Sequence, residues 1–252
     1  LSIGLGSVLT AAPTSERGKM TDVYLIRHGQ TVANITEVMS GWMETPLTDT
    51  GVSQARAAGQ ALAQCSVGRI VSSDLSRARH TAQLVGEGVG VGEVSLAPEL
   101  REWHFGPYEG RPHQEMWRGL LPYMGIAVDE DHFERASFWD NMILLRSRGY
   151  GEAEMMDALA ALDPTGEAST WRQYRQRLSS AAELIDRGAF EVGRERAALV
   201  VVSHGAFTRN LLPLLDPEGY DGRPIGNASI THLRRGDQGF ETVRVAVDPK
   251  DW

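Results

Sequence analysis

Two histidines close apolar runs in this chain, and their neighbours are the kind that could handle an anion. In D-V-Y-L-I-R-H-G-Q-T, residues 22–31, a β-branched and aromatic run stops at Arg27-His28-Gly29. In A-A-L-V-V-V-S-H-G, residues 197–205, a second run stops at Ser203-His204-Gly205. An arginine or histidine at the end of a buried strand is costly unless it faces a cleft. In open α/β sheets that cleft, beyond the carboxyl ends of the strands, is where ligands bind. Gly29 is expected to let the backbone approach a ligand. The residues after it are expected to open a helix whose free N–H groups favour an anion. Ser76-Arg77-Ala78 and Glu102 add a guanidinium and a carboxyl group just past two further elements. The residue types point to an anion site with an imidazole at its centre.

The elements that must position these groups alternate between strand and helix. Strands are expected at about 22–27, 69–73, 94–97 and 197–203, the last apolar throughout as a central parallel strand should be. Helices are expected near 51–64, 75–85 and 170–187, and from Gly205 to about Leu215. Ser73 or Asp74 is the expected N-cap of the helix that carries Arg77. Ala228–Leu233 and Phe240–Val247, joined by a turn at Gly236–Gly239, read as a hairpin at a sheet edge. Residues 111–168 are rich in Met and aromatic side chains, with breaks at Tyr150-Gly151 and Pro164. They are expected to form short helices packed over the sheet, mostly core, with a few residues roofing the pocket. The predicted fold class is α/β: a three-layer α/β/α sandwich with a mostly parallel central sheet, an antiparallel edge and a helical insertion over the active site.

Composition narrows the partners. The chain has 252 residues, 42% of them hydrophobic, enough for a full core. Its net charge of −8 speaks against nucleic acid and anionic membrane, which call for a basic surface. Cys65 is the only cysteine, which excludes an intrachain disulfide and fits a reducing, cytoplasmic setting. No apolar run reaches the roughly 20 residues of a membrane helix. Residues 1–19 are small, Gly-rich and patternless, a poor match to a signal peptide, and are expected to be a disordered N-terminal extension. Residues 20–252 are expected to form a single domain, with the insertion at about 111–168. A homodimer, the commonest assembly, is the default expectation.

Five segments in order carry a resemblance. They are L-I-R-H-G-Q-T with Asn34 downstream, G-W-x-x-T-P-L-T-x-x-G at 41–51, S-S-D-L-S-R-A-R-H-T-A at 72–82, L-R-E-W-H-F-G-x-x-E-G at 100–110, and V-V-S-H-G at 201–205. A weaker match, Asn227-Ala228-Ser229, precedes the final hairpin. Together they resemble the histidine phosphatase superfamily, also called the phosphoglycerate-mutase-like family. The resemblance implies a single domain of that type acting on a small phosphorylated substrate. In that reading His28 is the nucleophile, with its other ring nitrogen held by a backbone carbonyl. Arg27 and Arg77 grip phosphate oxygens through bidentate forks, His204 and Asn34 donate further hydrogen bonds, and Glu102 protonates the leaving oxygen. Ser40 and Gly41 are candidate substrate-binding residues. Taken singly, each histidine is more often structural than catalytic, and Glu99 and Glu109 compete with Glu102; the E-x-x-F-G spacing favours Glu102. His80, His104, His113, His132 and His232 lack metal-ligand spacing, so no metal and no cofactor are expected. The Ser203-His204-Gly205 serine sits in no G-x-S-x-G elbow, which argues against a serine hydrolase.

The resemblance implies either a phosphatase or a phosphomutase. The family's phosphoglycerate mutases carry a lysine soon after the equivalent of Glu109-Gly110, and paired arginines with a proline run in the insertion. Here Arg111 follows Gly110, and residues 111–168 hold neither feature. The expected activity is therefore hydrolysis of a phosphate monoester through a phosphohistidine. A phosphoglycerate-mutase-type phosphomutase is the alternative. A reading of another class is a catalytically weak phospho-ligand-binding or regulatory module.

Overall fold

The computed structural model describes residues 20–252; the extension expected at 1–19 lies outside the described residues. Six strands build one sheet: β1 (Thr21–Arg27), β2 (Val67–Ser72), β3 (Val94–Leu96), β4 (Ala198–Ser203), β5 (Ile230–Gly236) and β6 (Gly239–Val247). Their order is β3-β2-β4-β1-β5-β6. The β3, β2, β4 and β1 pairings are parallel, whereas β5 runs antiparallel to β1 and closes a hairpin with β6. The expected fold class and edge hairpin are both present.

The apolar runs are continuous because the parallel strands are covered on both faces. All six β4 residues are buried. Val200 and Val202 join Tyr24, Ile26 and Ile70 in a cluster under α2 (Asp49–Ala61) and α3 (Ser76–Val89). Leu199 and Val201 point the other way, into a larger cluster with Val23 and Leu25. That cluster takes in α8 (Trp171–Arg194) and α9 (Gly205–Leu215). It continues into the insertion, through Met116, Trp117, Leu120, Met142 and Met156. The insertion consists of α4 (His113–Tyr123), α5 (Glu130–Arg135), α6 (Phe138–Ser147) and α7 (Glu152–Leu162). The predicted breaks at Tyr150-Gly151 and Pro164 fall between α6 and α7 and just after α7.

Three local expectations are corrected. First, α8 runs about two turns past Arg187. Gly188, just past the expected end, is a contact point: a Cβ there would sit 3.3 Å from Leu199 Cδ2. Second, α3 starts at Ser76 with Leu75 at its cap and no side-chain cap bond. Ser73 meets His204 and reaches only the Leu75 N–H, at 3.4 Å, and Asp74 pairs with Arg101. Third, Gly29 does not open space for a ligand. It lies against α2, where a Cβ would come within 2.4 Å of the Gly51 carbonyl oxygen. The helix after it, α1 (Val32–Ile35), is a single turn capped by Thr31.

Asp163 closes the turn at the end of the insertion. One carboxylate oxygen accepts from the Thr165 N–H and hydroxyl, and the other from the Ala168 N–H. Burial pushes this carboxyl up, but those hydrogen bonds outweigh it and hold it at about 2. A lowered folded-state pKa contributes stability that is present above the ordinary carboxylate value and lost as pH falls through the folded one. Asp163→Asn is expected to cost about 1–3 kcal/mol in chemical denaturation at neutral pH. It should also flatten the loss of stability that the unaltered protein shows between about pH 4 and pH 2.

Candidate active site

The site lies at the carboxyl ends of β1 and β4, which are hydrogen-bonded neighbours in parallel register, with Arg27 opposite Ser203. One residue beyond each strand stands a histidine. Adjacent parallel strands ending at the same level bring residues 28 and 204 together, and the two rings lie 5.2 Å apart between centroids. Both are buried, His204 completely.

Two contacts define the state of His28. Its Nδ1 is 2.8 Å from the Gly29 carbonyl oxygen, which can only accept, so Nδ1 carries the proton. Its Nε2 lies 3.3 Å from Nε of Arg77, which can only donate, so Nε2 carries the lone pair. Burial, then the charges of Arg77 and Arg27, hold this imidazole well below the usual histidine range. His204 is held down in the same way, by burial first and then by Arg77. The backbone of His28 is pinned as well: its N–H donates to the Ser203 carbonyl, and its own carbonyl accepts from Ala228 N and Asn227 Nδ2.

His204 meets the Ser73 hydroxyl through Nε2 at 2.9 Å, and its buried Nδ1 has no hydrogen-bond partner among the described residues. Ser73 was not singled out in the sequence for a role beside histidine. Its place at the end of β2, next to β4 in the sheet, is the signal that could have found it.

The arginines differ from expectation. Arg77 is almost fully buried. Its Nη atoms donate to the carbonyls of Met43, Ser40 and Gly41, so its fork is spent on the loop and only Nε faces His28. The bidentate grip expected of it is absent here; it brings charge beside the imidazole. Arg27 donates through Nη1 to the Ile225 carbonyl, and its buried Nε has no partner among the described residues. Burial lowers its pKa to about 10. Arg27 stays a cation with donor capacity to spare.

The three glutamates differ in their contacts. Glu99 is exposed. Glu109 accepts four backbone N–H bonds, from Gly41, Trp42, Met43 and Phe105, and thereby folds the 40–43 loop that receives Arg77. Glu102 is buried and faces the cavity, accepting from its neighbour Trp103 N and from Ala206 N at the start of α9. Its backbone carbonyl is clamped by Trp42 Nε1 at 2.7 Å and Arg177 Nη2 at 3.0 Å.

The cavity itself holds about 300 Å³ and is lined by Arg27, His28, Asn34, Ser40 and Glu102, with Arg77 and His204 each in contact with His28. Asn34 sits at its edge with Oδ1 accepting from Asn227 Nδ2. Ser40 has a buried Oγ with no partner among the described residues. Gly41 does not line the cavity. Its N–H belongs to Glu109 and its carbonyl to Arg77, and a Cβ would collide with the Trp103 carbonyl at 1.9 Å. Part of the Met/aromatic block does roof the pocket, through α6 and α7. Glu152 and Arg209 also line it and were not anticipated. Arg209 could have been found, since residues 206 and 209 of the helix opening at Gly205 lie one turn apart on a shared face.

Two neutral imidazoles among buried cations, at the mouth of a parallel sheet, mark an α/β protein built to handle an oxyanion. A sequence model of the histidine phosphatase superfamily (branch 1) matches residues 23–136 and 145–248, and the chain belongs to that family. It is 44% identical over 94 residues to an adenosylcobalamin/alpha-ribazole phosphatase of Salmonella typhimurium, covering 37% of this chain and 46% of that one. It is 39% identical over 126 residues to a probable phosphoglycerate mutase, GpmB, of Photorhabdus laumondii, covering 44% and 58%. The chain thus spans about half the length of the curated relatives it matches. A phosphoglycerate mutase from Bacillus anthracis superposes with a TM-score of 0.72 at 26% identity, over 92% of this chain and 95% of that one. No described helix is long and apolar enough to cross a membrane.

The two lowered imidazoles give a pH dependence whose sign follows directly. Below the ordinary histidine value the unfolded chain binds protons that the folded one refuses. Stability is therefore full above about pH 6.5 and declines as pH falls below it. The melting temperature is expected to drop from pH 7 to pH 5, and a variant with both His28→Gln and His204→Gln should show a shallower drop. Ring-nitrogen NMR should find His28 neutral and protonated on Nδ1 at pH 6.

Proposed function

We propose that the protein is a phosphatase that hydrolyses a small phosphate monoester through a phosphohistidine on His28. The observation that carries this is the His28 ring: neutral, proton fixed on Nδ1 by the Gly29 carbonyl, lone pair on Nε2 among cations. A phosphate monoester resists attack because its oxygens are negative, and the surrounding cations offset that charge in the transition state.

The steps follow from the groups present. Nε2 of His28 attacks phosphorus while the bond to the ester oxygen breaks. Arg27 donates to the phosphoryl oxygens through its unpartnered Nε, Arg77 adds its buried charge, and the free Nδ1 of His204 donates a further bond. Ser40 Oγ and Asn34 complete the donors at the cavity edge. In its acid form Glu102 gives its proton to the leaving oxygen. The resulting carboxylate then takes a proton from a water that attacks phosphorus, the P–N bond breaks, and phosphate leaves. Relatives named as phosphatases and as mutases both support transfer of a phosphoryl group. The choice of water as final acceptor rests on Arg111 and on the missing paired arginines of the insertion.

Protein quenched in alkali during turnover is expected to carry phosphate, and His28→Ala should abolish the label and lower kcat by at least about 10³-fold. Label persisting in that variant places the nucleophile elsewhere. Glu102→Gln should slow alkyl phosphates by about 10²–10³-fold. With p-nitrophenyl phosphate, whose leaving group needs no proton, the same variant should give a burst of nitrophenol and then slow hydrolysis. An equal loss for both esters with no burst would assign the acid to another group. Wild-type protein that binds inorganic phosphate but turns over neither ester would be a binding module.

A further inference from the structure

Beyond the phosphoryl subsite, the cavity wall is apolar on the insertion side. It is formed by Phe138, Trp139 and Met142 of α6, and by Met155 and Met156 of α7, and Phe105 also lines the cavity. One cation lies toward this end, Arg209 of α9. It is already engaged: its Nη2 is 2.7 Å from Glu152 Oε1, and both side chains are largely buried, at 20% and 13% exposure. Its guanidinium also lies 5.2 Å from the centroid of the Trp139 ring. The other oxygen of Glu152 accepts from Asn210 Nδ2 at 2.9 Å, so the carboxylate is locked in place. Arg146 approaches Glu152 at 3.7 Å, but it is 58% exposed and does not line the cavity.

We infer that the leaving group is an uncharged alcohol with a ring or other apolar body, and that Glu152 enforces this choice by neutralising Arg209. The inference rests on the phosphatase reading and narrows it. An alcohol carrying a carboxylate or a second phosphate would find Arg209 occupied and Glu152 repelling it, in a partly buried place where like charges are poorly screened. A flat apolar group would instead replace water against Met and aromatic side chains. Specificity of this kind combines attraction for one class with a built repulsion against another. A cavity of about 300 Å³ leaves room for one ring system beside the phosphoryl group.

The test uses two primary alkyl phosphates, so that the departing oxygens are alike: 2-phenylethyl phosphate and 3-phosphoglycerate. Wild-type protein is expected to favour the first by at least about 100-fold in kcat/KM. Glu152→Gln keeps the size and the Asn210 contact but releases Arg209. It should shift the ratio toward 3-phosphoglycerate by about 10-fold or more, chiefly through KM. Adding Arg209→Met to that variant should erase the gain. Because Glu152 opens α7, the melting temperature of each variant is compared first, and the ratio of the two substrates is insensitive to the fraction folded. A wild-type preference for 3-phosphoglycerate, or a ratio unmoved by Glu152→Gln, overturns the inference while leaving the phosphatase reading intact. Absence of turnover with either ester and with p-nitrophenyl phosphate sinks that reading and this inference together.

Discussion

The hydrogen bond from Nδ1 of His28 to the Gly29 carbonyl is the interaction on which the rest of the site depends. An imidazole is useful as a nucleophile only when neutral and only at the nitrogen that has no proton. The carbonyl fixes which nitrogen that is. Burial and two neighbouring guanidinium groups then make protonation costly, so the ring stays neutral where a free histidine would begin to charge. Tautomer and charge state are thus set by the fold before any substrate arrives.

Keeping cations beside that ring has a cost, because buried guanidinium groups must be hydrogen-bonded. The chain meets it with backbone. The 40–43 loop turns three carbonyls onto Arg77, and it can do so because Glu109 gathers its N–H groups. Gly41 is required at the tightest point of that loop, where there is no space for a side chain. Arg177 and Trp42 play the matching part for Glu102, holding its carbonyl so that its carboxylate meets α9 and the cavity. Much of what looked like substrate-binding sequence is therefore scaffolding for two or three groups.

The insertion contributes in a different way. Its helices are anchored by the same hydrophobic cluster that covers one face of the sheet, so α6 and α7 are held over the strand ends as part of the core. Most of its Met and aromatic side chains are spent on that packing. The few that remain shape the outer cavity, together with an ion pair, Arg209–Glu152, that joins α9 to α7 across it.

The strands, most helices and the edge hairpin were legible because their periodicity is local and both faces of the parallel strands are apolar. The residues that converge were legible as well: His28, His204, Arg27 and Glu102 stand at element ends, where only a cleft accommodates them. What local pattern could not show was how donors would be shared. Ser73 and Asp74 are good helix caps in isolation but meet His204 and Arg101 instead, and Arg77 has a fork suited to phosphate but turns it to carbonyls. Glu109 and Glu102 are equivalent side chains in one short loop, separated only by which N–H groups reach them. By itself the sequence determined the fold class and which chemical groups would gather, since burial and period are properties of single segments. Tertiary structure decided their charge state, most of their hydrogen-bond duties and the charge of the outer cavity, because the buried groups concerned lie tens of residues or more apart along the chain, even though the carbonyl that fixes the His28 tautomer belongs to the next residue.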